Sequence, residues 1–436
     1  MRNPRFALRD FAALVAFASL TMLTSCAPDR AKPVSPQPGV DLPGQGWELV
    51  FDDEFERDGD TWKEKWISDA QAHKHILSSR WPENVSMQDG KLLLTAKKES
   101  RGGQDWTAGS IWTKERFQYG YFECRYRYAA APALNNSFWL MNHARAEDKK
   151  LIESGELTVF EIDVNEGHYP NKISTNIHRW TPKHTANSRS IVLGSRPLSS
   201  FPLEIPVTTQ RLRILSRDVN RTSIAEVRAF APTKSGYPEM ADEAGQPLPV
   251  PPDQPNLLAG ARATANSKLR DEFPADNVVD GVVSNASRWV GADSQGGNHE
   301  VILELGNPVD IGCIQVFSGW RSQGEWTQAM SDFTIQYWDG ADWVDIAGSG
   351  GTESGFRDLS AEFHTYGLLW TPEEIIFYFD GKEIRREPNV FCHHPSPVFL
   401  SLAVIHWAGP VTDRIDGASQ VIDYVRIWQR DDWKKP

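Results

Sequence analysis

The chain has 436 residues, enough at roughly 150 residues per domain for two or three domains with full hydrophobic cores. Charged residues make up 24% and hydrophobic residues 40%, which excludes a disordered chain. With 46 Lys plus Arg against 58 Asp plus Glu, a formal charge of −12 and no long basic run, the composition argues against nucleic acid as a partner, because phosphate binding needs clustered positive charge. The 17 Trp suit either flat sugar-binding surfaces or an aromatic-rich β core.

Arg2, Arg5 and Arg9 precede an apolar run over 11–23 that is too short to span a membrane. The run ends in Leu23-Thr24-Ser25-Cys26, which resembles a bacterial lipobox, whose Cys becomes the lipidated first residue. An ordinary secretory cleavage site near Ser25 is the alternative. Residues 1–25 are expected to be a lipoprotein signal peptide, and 26–42, rich in Pro and polar residues, a flexible tether. This predicts an exported lipoprotein of the cell envelope or surface, on the outer membrane in a Gram-negative host, with the lipid anchor as its only membrane contact. Besides Cys26 the chain has only Cys124, Cys313 and Cys392, which make no disulfide framework and no metal-type spacing.

Strands are expected at 47–51, 91–96, 119–128, 137–141, 157–164, 172–178, 363–370, 375–379, 398–404 and 420–429, punctuated by Gly, Asn and Asp. Asp89-Gly90 and Asp380-Gly381 are hairpin turn pairs. No helical period is sustained after residue 25, so the pattern predicts an all-β sandwich. No P-loop, dinucleotide fingerprint, GxSxG or HExxH occurs.

The chemistry concentrates in Thr158-Val159-Phe160-Glu161-Ile162-Asp163-Val164-Asn165-Glu166. Alternate side chains of a strand share a face, so Glu161 and Asp163 point one way while Phe160, Ile162 and Val164 point into a core. Glu166, five residues after Glu161, falls on the wrong face of a regular strand. A β-bulge near Val164-Asn165 absorbs one residue and returns Glu166 to the acidic face. Three crowded carboxylates raise at least one pKa. Two carboxyls about 5–5.5 Å apart are the geometry of a retaining glycosidase. A solvated acidic strand edge is the alternative, but the apolar opposite face favours a buried, working strand.

The hexapeptide Glu161-Ile162-Asp163-Val164-Asn165-Glu166 resembles the signature of glycoside hydrolase family 16 in its bulged form. Residues 47–55 resemble the family's opening strand, and Glu83-Asn84-Val85 with Asp89-Gly90-Lys91-Leu92 its second hairpin. Ala108-Gly109-Ser110 with Tyr119-Gly120-Tyr121-Phe122-Glu123, and then Ser137-Phe138-Trp139-Leu140-Met141, are similar to the next two motifs of the family. Phe363-His364-Thr365-Tyr366-Gly367, Trp370, Asp380-Gly381 and Asp423-Tyr424-Val425-Arg426-Ile427 resemble its later and closing strands. The resemblance covers 43–190 and 352–430, the two expected parts of a catalytic domain. It implies a concanavalin-like β-jelly-roll sandwich with a sugar groove across one sheet, Glu161 as nucleophile, Glu166 as acid/base, and Asp163 as the assisting neighbour that tunes them. Trp139 is implied as a stacking platform, with a core position as the alternative. His178 and Trp180 end the next strand and are groove candidates, a structural His being the alternative. Trp112, Arg80, Asn84, His406 and Trp407 are further substrate-binding candidates. No cofactor is expected for catalysis. The family's structural calcium would fall on Gly90 and Asp423, where oxygen-only ligation suits that ion; a surface Asp without metal is the alternative.

Residues 191–351 are too many for a loop. Asn256-Leu257-Leu258-Ala259, Asn277-Val278-Val279-Asp280-Gly281, Ser287-Arg288-Trp289, Leu303-Glu304-Leu305-Gly306 and Phe333-Thr334-Ile335-Gln336-Tyr337-Trp338 resemble the first two-thirds of a discoidin-like domain, the fold of carbohydrate-binding module family 32. Its closing strands are missing downstream; 207–214 and 224–228 resemble them upstream. The expectation is an inserted, circularly permuted discoidin-like β-sandwich at 198–349, with closing strands in 198–232, a connection at 233–255 and opening strands in 256–349. A family-specific loop at 191–232 beside a degenerate module is the alternative.

Together these readings predict a monomeric retaining endo-β-glycanase acting on a polysaccharide. Asn135-Asn136-Ser137 stands where glucan-cleaving members usually carry a Trp-Pro pair, which leans toward an algal galactan (agar, porphyran or carrageenan) over laminarin-type β-1,3-glucan. A surface lipoprotein that binds polysaccharide on a dead catalytic scaffold is the third reading. It is disfavoured because a carboxylate cluster is costly unless used.

Overall fold

The structure is a computed structural model that describes residues 36–433 except 58, 74, 143–145, 220, 293–297, 323–324 and 350–356. The signal segment, Cys26 and most of the 26–42 tether lie outside the described residues. Both large hydrophobic cores lie within residues 38–436.

Two large sheets face each other. The cleft sheet has seven antiparallel strands in the order Thr185–Val192, Lys172–Arg179, Phe160–His168, Leu134–Met141, Val398–Val404, Ser110–Thr113 and Trp66–Ser68. The back sheet orders Lys382–Pro388, Glu374–Phe379, His364–Trp370, Gly120–Arg127, Ser419–Arg430, Lys91–Thr95 and Val85–Gln88, with Trp47–Asp53 paired to Ser419–Arg430. Period-2 patterning drives the packing. Phe138 and Leu140, Phe160, Ile162 and Val164, and Leu400 and Leu402 of the cleft sheet share one core with Phe122, Tyr126, Leu368, Trp370, Val425 and Ile427 of the back sheet. Each fully buried Leu, Ile or Phe contributes roughly 1.5–3 kcal/mol. At Asp89-Gly90 φ is +52° and +68°, and at Asp380-Gly381 +46° and +73°, the left-handed pairs that two-residue hairpins need.

The expected strands are present, each within a few residues at either end, and the fold is the all-β sandwich anticipated. Short or edge strands were not anticipated. Thr185–Val192 is mostly polar and only partly buried, so no alternation marks it. An eight-residue helix, Ala146–Glu153, also lacked a sequence signal.

The segment between the jelly-roll parts builds its own sheet around a second core that includes Leu212, Ile214, Val227, Trp289, Val301, Val316 and Ile335. Leu198–Ser216 pairs with both His299–Ser318 and Phe333–Trp338. Ser223–Phe230 pairs with His299–Ser318 and with Trp289–Val290, while Trp343–Ser349 pairs with Phe333–Trp338. Strands from before and after 233–255 thus share one sheet. Within this unit, buried Asp218 accepts from Ser331 N at 2.9 Å and Asp332 N at 3.1 Å. Asn171 Nδ2 to Ser331 Oγ (3.0 Å) and Thr327 Oγ1 to Ser190 O (3.1 Å) fasten it to the jelly roll. Cys124, Cys313 and Cys392 are buried free thiols.

Candidate active site

The acid strand Phe160–His168 carries the expected bulge. Trp139 is opposite Asp163 and Phe138 opposite Asn165, so Val164 is the extra residue. Val164 packs into the core, and Asn165 turns inward to donate to the hydroxyls of Tyr126 (2.7 Å) and Tyr128 (2.8 Å). Beyond the bulge the phase is reset, and Glu161, Asp163 and Glu166 all face one cleft of about 780 Å³. Gly167 is required by proximity: a Cβ there would lie 2.2 Å from Tyr128 Cζ.

A chain of hydrogen bonds orders the three carboxylates. Trp180 Nε1 donates to Glu161 Oε2 at 2.9 Å. Asn176 Nδ2 donates to Asp163 Oδ2 at 2.9 Å and to Glu166 Oε2 at 2.7 Å. Asn135 Nδ2 donates to the other Glu166 oxygen at 3.0 Å. His178 Nε2 lies 3.4 Å from Asp163 Oδ2. Burial, reinforced by the Asp163 charge, pushes the Glu161 pKa well above the ordinary carboxylate range. Burial and the Glu166 charge do the same to Asp163. Glu161 and Asp163 therefore retain a proton between them at pH values where exposed carboxylates are ionised.

Aromatic surfaces flank the acids. Trp112, Phe399, Trp139 and Asp163 stand in register across four strands. Trp139 stacks on Phe399 at 4.1 Å and donates Nε1 to Ser401 Oγ at 3.0 Å, while Trp112 leans on Phe399 at 5.7 Å. Trp180 and Trp407 line the cleft and are 40% and 39% exposed, so each keeps part of its ring surface toward the cleft. His184 stacks on Trp180 at 4.1 Å and bonds His178 Nδ1 at 3.0 Å. Arg80 also lines the cleft, 3.8 Å from Asp69. Burial would raise the Asp69 pKa, but the His73 hydrogen bond and the Arg80 charge hold it below its ordinary value.

Of the candidates named from the sequence, Glu161, Asp163, Glu166, Trp139, His178, Trp180, Arg80 and Trp407 share the cleft. Trp112 stands one strand further along the same row. Asn84 is a correction: its buried side chain donates to Thr95 O and Thr107 Oγ1, away from the cleft, and holds neighbouring backbone together. His406 is a second: it is exposed and edge-on to Trp407, outside the lining. The calcium expectation at Gly90 and Asp423 does not fit either. Asp423 accepts from Lys91 Nζ at 2.9 Å and pairs with Arg125, so a divalent cation would meet two positive charges. The sequence reading noted Asn135 only as a departure from the family pattern, without a role at the acids, and missed Asn176, His73, His75 and Phe399. Asn176, two residues before His178, shares its strand face and was findable by period; His73 and His75 come from a loop with no periodic signal.

Two family profiles match the chain: Glycosyl hydrolases family 16 over 337–426, and F5/8 type C domain over 262–363. One segment of the chain is thus similar to each family, as the two resemblances implied. Hydrogen bonding places the junction between Trp343–Ser349 of the inserted sheet and His364–Trp370 of the back sheet. Among curated relatives, an endo-1,3-1,4-beta-glycanase of Rhizobium meliloti (strain 1021) is 42% identical over 74 residues, 16% of either chain. The kappa-carrageenase of Pseudoalteromonas carrageenovora is 29% identical over 174 residues, 35% of this chain and 41% of that one. A beta-glucanase of Rhodothermus marinus is 26% identical over 264 residues, 56% of this chain and 86% of that one. The chain therefore spans less than half the length of the first two.

Proposed function

We propose that this protein is a retaining endo-β-glycanase that cleaves internal β-linkages of a polysaccharide by double displacement. The observation that carries this reading is the Val164 bulge, which brings Glu161, Asp163 and Glu166 into one cleft with Asp163 bonded to its neighbours' network. In the reactive form the proton shared by the buried pair sits on Asp163, leaving Glu161 ionised to attack the anomeric carbon. Glu166 protonates the leaving oxygen, then takes a proton from the water that hydrolyses the glycosyl ester. Asn135 and Asn176 fix the Glu166 carboxyl through both oxygens during this exchange.

The substrate reading is an algal galactan of the agar, porphyran or carrageenan type. It is supported by Asn135-Asn136-Ser137 in place of the Trp-Pro pair and by the kappa-carrageenase relative. Laminarin-type β-1,3-glucan is the second reading, favoured by the alignment that covers most of a beta-glucanase. Incubating the protein with purified agarose, porphyran, κ-carrageenan and laminarin and measuring new reducing ends tests both. Proton NMR of the first product checks the mechanism, since retention releases the β-anomer first. No release above that of Glu161→Gln on any of them refutes the glycanase reading. The lipobox-like Cys26 further supports a lipid-anchored, envelope-facing enzyme, tested by whether Cys26→Ala moves the protein to the soluble fraction.

A further inference from the structure

A second pocket, of about 370 Å³, lies where the inserted unit meets the cleft sheet. One wall is the sheet's last strand, Thr185–Val192, including Ser188 and Ser190. The other wall is a hairpin of the insert, Trp320–Ser322 with Glu325–Thr327, and the residue just after it, presenting Trp320, Trp326, Thr327 and Gln328.

The first wall continues the face that holds the carboxylates. Asn176, which bonds Asp163 and Glu166, pairs directly with Ser188, and Ser174 pairs with Ser190, their hydroxyls 2.9 Å apart. Directly paired residues of antiparallel strands project to the same side. The pocket thus begins two strand spacings, about 10 Å, from the acid strand along one surface. The second wall has the makings of a sugar contact. Trp320 and Trp326 offer half-buried ring faces. Gln328 is 8% exposed, holds a left-handed φ of +55°, and leaves its buried Oε1 without a partner. A side-chain carbonyl buried at that cost and lining a pocket is placed to accept from a ligand hydroxyl. The Thr327 Oγ1 to Ser190 O bond pins the hairpin to the strand, so the two walls are set relative to each other.

We propose that this pocket is a polysaccharide-binding subsite continuous with the cleft, so that the inserted unit forms part of the groove itself. The occupant is the stretch of the same chain that runs on past the carboxylates toward Thr185–Val192. This rests on the glycanase reading above, and the two fail in different ways.

The test compares Trp320→Ala and Gln328→Ala with the full wild-type chain, with melting temperature checked for each. Substrates are the polysaccharide that the wild type cleaves and the shortest oligosaccharide of it that is still cleaved. The expected result is a loss of about tenfold in kcat/KM on the polysaccharide with the short substrate within twofold. Unchanged rates on both overturn the proposal. Equal losses on both also overturn it, because the insert then props the cleft without holding sugar. If the wild type cleaves none of agarose, porphyran, κ-carrageenan or laminarin, the glycanase reading has failed. The subsite is then decided by affinity electrophoresis in gels containing each. Retardation of the wild type that both variants lose supports it, whereas no retardation, or retardation the variants keep, overturns it.

Discussion

Glu161 and Asp163 lie side by side on a strand whose other face is apolar, and that arrangement opposes folding. Unfolded, each carboxyl ionises near pH 4. Folded, burial keeps a proton bound to higher pH, helped by the Asp163 charge at Glu161 and by the Glu166 charge at Asp163, so the native state binds more protons and loses stability as pH rises above that value. Glu161→Gln removes the burden: its amide donates to Asp163 while its carbonyl accepts from Trp180. The variant is expected to lose several orders of magnitude in turnover yet melt higher than wild type at pH 7, with the gain gone at pH 3.5. Calorimetry at the two pH values checks the sign; a lower melting temperature at pH 7 contradicts it. Gly167 gives a second prediction. A methyl there collides with Tyr128, which holds Asn165 and through it the bulge. Gly167→Ala is expected to cut activity about 100-fold while Gly306→Ala, where nothing lies within 4 Å and the backbone is not left-handed, leaves it near wild type, read by initial rates.

At the scale of elements, legibility followed patterning. The acid strand announced itself because counting by two puts Glu161 and Asp163 together and shows that Glu166 needs one absorbed residue. His178 and Trp180 followed from ending the next strand, whereas Trp139 came from the family resemblance. Thr185–Val192 stayed hidden because its largely polar, half-buried edge strand shows no apolar alternation, and His73 and His75 because a loop has no period. Asn84 misled because a fixed motif position says nothing about which way its amide turns. The inserted strand Ser223–Phe230 carries a prediction of its own. Glu226 is fully buried; Gly281 N reaches one oxygen at 3.2 Å and the other has no partner. Burial pushes its pKa up to about 8, with Asp280 adding to the rise and Gly281 and Arg228 opposing it. Unfolded it would titrate near 4.3, so the insert's stability is highest below that value and falls as pH rises toward 8. Its melting transition is expected to drop between pH 5 and pH 8, and Glu226→Gln to flatten the drop. A pH-independent wild-type transition would contradict this.

At the scale of the molecule, two cores share one chain, and the strands 198–216 and 223–230 belong with 299–318 and 333–338. We propose, on that pairing, that the insert is a permuted module. Residues 198–349 expressed alone are then expected to melt cooperatively. Residues 256–349 alone are not, since His299–Ser318 would lose both Leu198–Ser216 and Ser223–Phe230, while Phe333–Trp338 and Trp289–Val290 would each lose a partner. Differential scanning calorimetry of the two fragments checks this, and a folded 256–349 fragment would refute it.

The place of Val398–Val404 has a consequence in time. That strand lies between Leu134–Met141 and Ser110–Thr113, in the middle of the cleft sheet, yet it is made after the entire insert. While the chain is being synthesised, the insert has every strand it needs before the catalytic sheet has its central plank. Phe399, Ser401 and Ala403 come from that plank, as do the ring under Trp139 and the acceptor for its indole. If the subsite proposal holds, an interrupted chain displays a finished sugar-contacting hairpin beside a split floor. It could hold carbohydrate before it could cut any, and the cutting edge is assembled last.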